Sequence, residues 1–286
     1  MIREEESRAA YIEWLKQCLM GTMYEEERPV PTPAELAGCA ARQSAARQKF
    51  SSWLARPGGV TPPILEKKPR ELWLLLRAMR RQRAAQTMTV RSGVDNVHYC
   101  LTEVLEGGVP GDVMEAGVWK GGLTILIQGI LKAWGVNDRR VWVADSFAGL
   151  PEPDPETDLE DAVTHYLLGG VDHLRISQAE VRSAFEHFDL LDDQVCFLPG
   201  WFRDTLPAAP VERLALLRVD GDWHDSTRDC LRFLYPKLAV GGYMIIDDYG
   251  LPLGCRRAVD EYRLENRIRE PLQWVNMQTV FWRREE

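Results

Sequence analysis

No stretch of this 286-residue chain approaches the ~18 consecutive apolar residues of a membrane span. Its beginning, MIREEESRAAYIEWLKQCL, starts acidic and lacks the basic-then-apolar order of a secretory leader, so a cytoplasmic protein is expected. Positive charge is not in surplus either. Against 35 Lys and Arg stand 43 Asp and Glu, a net charge of -8, which disfavours a nucleic-acid partner. The one basic run, RELWLLLRAMRRQR at 70–83, is interleaved with Leu and Trp and reads as an amphipathic helix with a solvated basic face. The six cysteines, Cys18, Cys39, Cys100, Cys196, Cys230 and Cys255, lie far apart without a Cys-x-x-Cys pair. They read as buried thiols of a reducing compartment, not as zinc ligands. Internal repeats and low-complexity tracts are absent too.

What is present is a globular composition, 45% hydrophobic and 27% charged, which allows one large domain or one domain with an appendage. The pattern changes near residue 109. Before it, YIEWLKQCLM and ELWLLLRAMRRQRAA have helical spacing and are separated by connectors such as RPVPTPAEL and RPGGVTPPIL. DNVHYCLTEVLEGG reads as a further helix, capped at Asp95 or a near neighbour and stopped at Gly107 and Gly108. After it, short apolar strands alternate with helical stretches. GDVMEAG, RVWVADSF, QVCFLPG, LALLRVDGD and GGYMIIDDYG are the strands, and QWVNMQTVFWRR adds strand-like material at the end. The alternation predicts an α/β fold over 109–286, a mostly parallel sheet with helices on both faces. A helical N-terminal extension over 1–108 is expected to cover an acceptor as a lid or to make a subunit contact.

Ligands of such sheets bind beyond the carboxyl ends of the strands. Those ends carry acids here: Glu115, Asp145, Asp220 with Asp222, and Asp247 with Asp248. One such Asp is ordinarily a turn residue. Four strands ending this way gather like charge at one edge unless a ligand or cation stands between them. The turn VMEAGVWKGG departs from Gly-x-Gly-x-x-Gly, because the bulky Trp119 disfavours a pyrophosphate packed on the helix that follows. An acid at 115 followed by glycines suits a cofactor with a cationic centre and no phosphate. Asp145 is placed to accept hydrogen bonds from ribose hydroxyls. Together these favour S-adenosylmethionine over NAD. Asp220, Asp247 and Asp248, on neighbouring strands, read as three anions with no basic side chain counted beside them. That is the oxygen donor set of magnesium, manganese or calcium. Asp222 is left beside them as a candidate general base.

The segments VPGDVMEAGVWKGG, RVWVADSFAGLPEP, FLPGWFRDTLPAAPVERLALLRVDGD and LYPKLAVGGYMIIDDYG resemble the macrocin and mycinamicin sugar O-methyltransferases. The resemblance covers roughly 88–286, with a fainter echo in YIEWLKQCLMGTMYEE. It implies a class I methyltransferase with a Rossmann-like sheet, S-adenosylmethionine, Mg2+ (or Mn2+), and O-methylation of a deoxysugar hydroxyl on a macrolide or related antibiotic. Matched by position, it carries metal binding to Asp220, Asp247 and Asp248 and the proton acceptor to Asp222. Candidates for the cofactor site are Met88, Glu115, Gly117 and Val118, then Asp145, Ser146, Gly200, Trp201 and Asp220. Trp201 either borders adenine or belongs to the core. His224, where the family has Tyr, is either a second catalytic candidate or a polar helix-start residue. His98, His165, His173 and His187 read as structural.

The partner so implied is a small glycosylated natural product, with neither nucleic acid nor membrane, and a homodimer or higher homo-oligomer is expected. Residues 28–87 depart from the family's N-terminal connection, which leaves the acceptor open. Two alternatives stand beside the sugar reading. One is methylation of a hydroxyl on a polyketide or phenolic aglycone. The other, of a different class, is a nucleotide-binding regulatory module without turnover.

Overall fold

The computed structural model describes residues 2–21, 31–56, 61–72, 85–156, 158–168, 174–251 and 254–286. Strands β1 (Asp112–Ala116), β2 (Val141–Asp145), β3 (Val195–Pro199), β4 (Leu214–Val219) and β5 (Leu238–Ile246) pair in parallel. The end of the chain adds β6 (Gln273–Trp274) and β7 (Val280–Arg283), with β7 antiparallel to β5 and β6 antiparallel to β7. The seven strands lie in the order β3-β2-β1-β4-β5-β7-β6. From β1 the chain steps one way to β3, and from β4 the other way to β5. The winding therefore reverses between β1 and β4, the point at which open α/β sheets take their ligands.

Helices α1 (Ile2–Met20), α2 (Pro33–Lys49), α3 (Arg91–Glu106), α4 (Gly122–Ala133), α5 (Leu159–Leu168), α6 (Gln178–His187), α7 (His224–Leu234) and α8 (Cys255–Glu265) cover both faces. Side chains alternate across each strand with a period of two. Met114, Ala116, Leu217 and Val219 enter the core shared with α2, α5, α7 and α8. Val113, Val143, Leu216 and Ile245 enter the core shared with α1, α3, α4 and α6. With both faces buried, these strands read as nearly continuous apolar runs, as parallel strands do.

The N-terminal helices α1 and α3 are thus built into one face of the sheet. Gly129 of α4 allows α1 to come close, since a Cβ there would lie 2.3 Å from the Leu15 side chain. Ion pairs join α1 to α3, Arg91 to Glu13 at 2.6 Å and Lys16 to Asp95 at 2.7 Å. Helix α3 starts at Arg91 after Val90, so Asp95 is not its cap and serves these cations instead. Helix α5 was not foreseen, because the polar EPDPETD ahead of it masks its short apolar face. The basic run beyond Leu72, and His173, lie outside the described residues. Among the described residues no helix is long and apolar enough to cross a membrane.

Sheet hydrogen bonding runs one residue past the strand ends. The N–H of Gly117 donates to Ala144 at 2.8 Å, that of Asp220 to Ala116 at 2.8 Å, that of Asp247 to Val219 at 3.0 Å and that of Gly200 to Asp145 at 2.9 Å. At the β1–β4 junction Gly117 has φ +89°, and a Cβ on it would lie 1.8 Å from the Asp220 carbonyl oxygen. Gly117 is therefore demanded by backbone packing, independently of any cofactor. Gly117→Ala should lose about 2 kcal/mol or more of stability in urea unfolding. A loss below about 0.5 kcal/mol would show that the junction relaxes freely.

Candidate functional site

A cleft opens at the switch point, lined by Met88, Gly117, Trp119, Asp145, Ser146, Trp201, Asp220 and Asp222 among others. Three of the loops around it hold a non-glycine residue at positive φ: Trp119 at 49°, Phe147 at 54° and Asp222 at 54°. Such conformations cost about 1–3 kcal/mol each and gather where a site over-determines its backbone. Of the cofactor candidates, Glu115, Val118 and Gly200 do not line the cleft. Val118 contributes through its backbone, its N–H donating to Asp145 Oδ2 at 2.8 Å. Gly200 leads into Trp201, which does face the cleft.

Asp145 ends β2 with its carboxylate held by the loops on both sides. Besides the Val118 N–H, it accepts the N–H of Phe147 at 2.8 Å and that of Trp119 at 3.4 Å. Burial pushes its pKa up, and these donors hold it back. A carboxylate so fixed at a strand end is placed to receive a ribose diol. The N-terminus of α4 is closed to phosphate. Gly122 N–H donates to the Gln86 carbonyl at 3.1 Å, and Lys120 Nζ to the Ala85 carbonyl at 3.1 Å. That crossing also carries Met88 to the cleft. Apolar walls, a diol acceptor and an occupied helix N-terminus fit a nucleoside cofactor without phosphate.

Behind the cleft lies a cation that the sequence reading did not count. Arg218 and Glu115 are register partners on β4 and β1, and both side chains are 2% exposed. The Arg218 guanidinium donates to Glu115 at 2.7 Å, to Asp220 at 3.0 Å and to Thr89 Oγ1 at 3.1 Å, and pairs with Asp247 at 3.0 Å. Glu115 also accepts the Thr124 hydroxyl of α4. Its role in the structure is to neutralise Arg218 within the sheet. Burial pushes the Glu115 carboxyl up to about 7, against the pull of Arg218.

Asp220, Asp222 and Asp248 each bring a carboxylate oxygen within 4.8 Å of the others. Asp247 is not in that trio. Its Oδ2 faces Arg218, and its Oδ1 accepts the Thr279 hydroxyl at 3.0 Å. The Asp222 N–H donates to Asp248 Oδ2 at 3.0 Å, tying the β4 loop to the β5 end. Loss of water pushes Asp222 and Asp248 well above the ordinary carboxylate range, and repulsion from Asp220 and Asp247 adds to it in both. Asp220 is pushed up to about 6 by desolvation, which Arg218 opposes. Carboxylates this close retain protons or share a cation. An all-oxygen donor set on fixed backbone fits a hard divalent ion.

The structure does not bring His224 to the cleft. It opens α7, its N–H donates to Asp161 at 2.7 Å, and its ring nitrogens lie 3.0 Å from the Asp225 and Glu261 carboxylates. It is a helix-start residue turned towards α8. His98 is held neutral, its pKa pushed down to about 4 by burial beside Lys16. His165 packs edge-on to Trp223 and His187 edge-on to Phe188. Two further residues escaped the sequence reading. Arg218 was legible only as the one charged residue in LLRV. Asp161, buried at 1%, accepts the N–H of both His224 and Gly254 at 2.7 Å, and nothing in the sequence announced it.

A family model described as macrocin-O-methyltransferase (TylF) matches residues 8–284. The mycinamicin III 3''-O-methyltransferase of Micromonospora griseorubida is 49% identical over 202 residues, 70% of this chain and 79% of that protein. The 8-demethyl-8-(2,3-dimethoxy-alpha-L-rhamnosyl)-tetracenomycin-C 4'-O-methyltransferase of Streptomyces olivaceus is 48% identical over 200 residues, 70% of this chain and 76% of that protein. The solved structure of the O-methyltransferase NovP superposes with a TM-score of 0.76 at 37% identity, covering 98% of this chain and 100% of that one.

The crowded carboxylates make stability depend on pH. A carboxyl whose pKa rises on folding keeps its proton where the unfolded chain has lost it, so it destabilises increasingly as pH rises from about 4 through the folded value. In cation-free protein Asp248→Asn should raise the melting temperature at pH 8 by about 3 °C, and by less at pH 5.5. Magnesium should raise it at pH 8 in the wild type and not in Asp248→Asn. Equal effects of the substitution at both pH values would contradict the crowding.

Proposed function

This chain belongs to the macrocin-O-methyltransferase family, and we propose that it moves a methyl group from S-adenosylmethionine to a sugar hydroxyl of a glycosylated natural product, with a divalent cation at the ends of β4 and β5. The observation that carries this reading is the group of carboxylates at the switch point beside a cleft that ends on Asp145. Support for a sugar acceptor comes from the tetracenomycin relative, whose name specifies a rhamnosyl group.

When bound, S-adenosylmethionine supplies a sulfonium methyl open to attack by oxygen, and the divalent cation supplies Lewis acidity. The residues of the chain do the rest. Asp145 receives the ribose hydroxyls, and Met88, Trp119 and Trp201 wall off water around the nucleoside. Asp220 and Asp248, from the carboxylate trio, would hold the cation, together with Asp247 beside them as the family resemblance implies. Each oxygen of Asp247 that faces Arg218 or Thr279 keeps a further lone pair. Asp222 faces the cleft from a strained loop and takes the proton of the acceptor hydroxyl. Much of the remaining acceleration comes from holding hydroxyl and methyl in line. The N-terminal part acts as the acceptor's cover: Met88 lines the cleft, and α2 packs against α5.

Radiolabelled methyl transfer to a panel of glycosylated and aglycone acceptors, with and without chelator, tests the reading. The glycosides should be methylated, chelator should abolish transfer and magnesium should restore it. Asp222→Asn should bind magnesium normally and lose about 10²–10⁴-fold in kcat. Asp247→Asn and Asp248→Asn should weaken magnesium binding. Full transfer under chelation would overturn the cation, and weakened magnesium binding in Asp222→Asn rather than Asp247→Asn would make Asp222 the ligand.

A further inference from the structure

A second cleft, of about 410 Å3, lies beside the first and has no part in the chemistry above. Phe50 and Trp53, at and just past the end of α2, form one wall. Pro153 and Pro155 form a second, and His165 and Tyr166 of α5 a third. The rings face one another edge-on, Phe50 and Tyr166 at 5.9 Å between centroids and 81° between planes. Two charges of opposite sign sit at the rim. The Lys49 ammonium lies 4.5 Å from the Tyr166 ring centroid, and Glu152 lines the other side. The walls are fastened together. Trp53 Nε1–H donates to Glu156 at 3.0 Å, and Arg56 pairs with the same carboxylate at 2.9 Å.

The two clefts share a wall. Leu150 and Pro151 line the first, and Glu152 and Pro153 line the second. Trp223, the residue after Asp222, joins them. Its Nε1–H donates to the Pro151 carbonyl at 3.0 Å, and its ring meets His165 at 6.2 Å. The Leu150–Pro153 segment thus runs from the wall of the first cleft to the wall of the second.

We propose that this second cleft binds the aglycone of the acceptor, and that the aglycone is a flat, uncharged ring system. The inference rests on the methyl-transfer reading of the first cleft. Aromatic and proline faces give a flat ring extensive contact and offer little to a charged group. The opposed charges of Lys49 and Glu152 leave the rim without a net preference for either sign. At about 410 Å3 the cavity lies within the range of about 300–1,000 Å3 usual for small-molecule sites.

Equilibrium binding to the full chain tests it with three probes: 2-naphthol, a 2-naphthyl 6-deoxyhexoside, and the methyl 6-deoxyhexoside that lacks the ring. The naphthyl glycoside should bind about tenfold more tightly than the methyl glycoside. Trp53→Ala and, independently, Tyr166→Ala should each remove most of that advantage and of the 2-naphthol binding, with S-adenosylmethionine affinity unchanged. Two variants guard against a single misfolded one, and circular dichroism checks both. Equal affinity for the two glycosides, or an advantage that survives both substitutions, would overturn the proposal. Binding of 2-naphthol requires no methyl transfer, so failure of the transfer reading would show in the activity assay and leave this arm intact.

Discussion

A guanidinium in the middle of a parallel sheet must be neutralised where it lies, and that requirement organises the site. Arg218 meets Glu115 from the neighbouring strand, Asp220 two residues along its own strand, and Asp247 from the strand on the other side. One side chain thereby ties the ends of β1, β4 and β5 together. Taking away one partner of such a buried pair typically costs about 3–5 kcal/mol, because the charge left behind has no water. The arrangement also leaves an imbalance. A single positive charge serves three carboxylates, and Asp222 and Asp248 stand beside them without an ion pair to Arg218. The excess negative charge that makes room for a cation is thus a consequence of how the sheet is held.

The loops around this centre are fixed from below. Asp161 of α5 accepts the N–H groups at the starts of α7 and α8, which follow the two acid-bearing strand ends. The Asp222 N–H donates to the Asp248 carboxylate across the same two strand ends. Between these contacts Asp222 is kept at positive φ. Strain of that kind persists only where neighbours over-determine the backbone, and here it aims a carboxylate into the cleft.

The sheet was legible because buried parallel strands are apolar on both faces, and the acids that end them stand out against those runs. The same logic hid Arg218. A charge inside an apolar run looks like an interruption, and only the register with Glu115 shows that it is paired. Glu115 shares the strand-end pattern of Asp145, and that pattern alone makes it a cofactor candidate. It sits one residue inside β1, however, and alternation turns it into the layer under α4. His224 was ambiguous for a related reason. Its spacing from Asp222 suggested the cleft, whereas the start of α7 turns it to Asp161 and Glu261. Contacts of this sort join residues tens of positions apart, and no local pattern records them.

The central claim is that the strand-end carboxylates around Arg218 form a divalent cation site. Anomalous diffraction from crystals equilibrated with manganese addresses it directly. The account predicts one strong peak among Asp220, Asp247 and Asp248, with the Arg218 contacts to Glu115, Asp220 and Asp247 intact. A map with no peak there, or manganese bound only elsewhere on the protein, would contradict it.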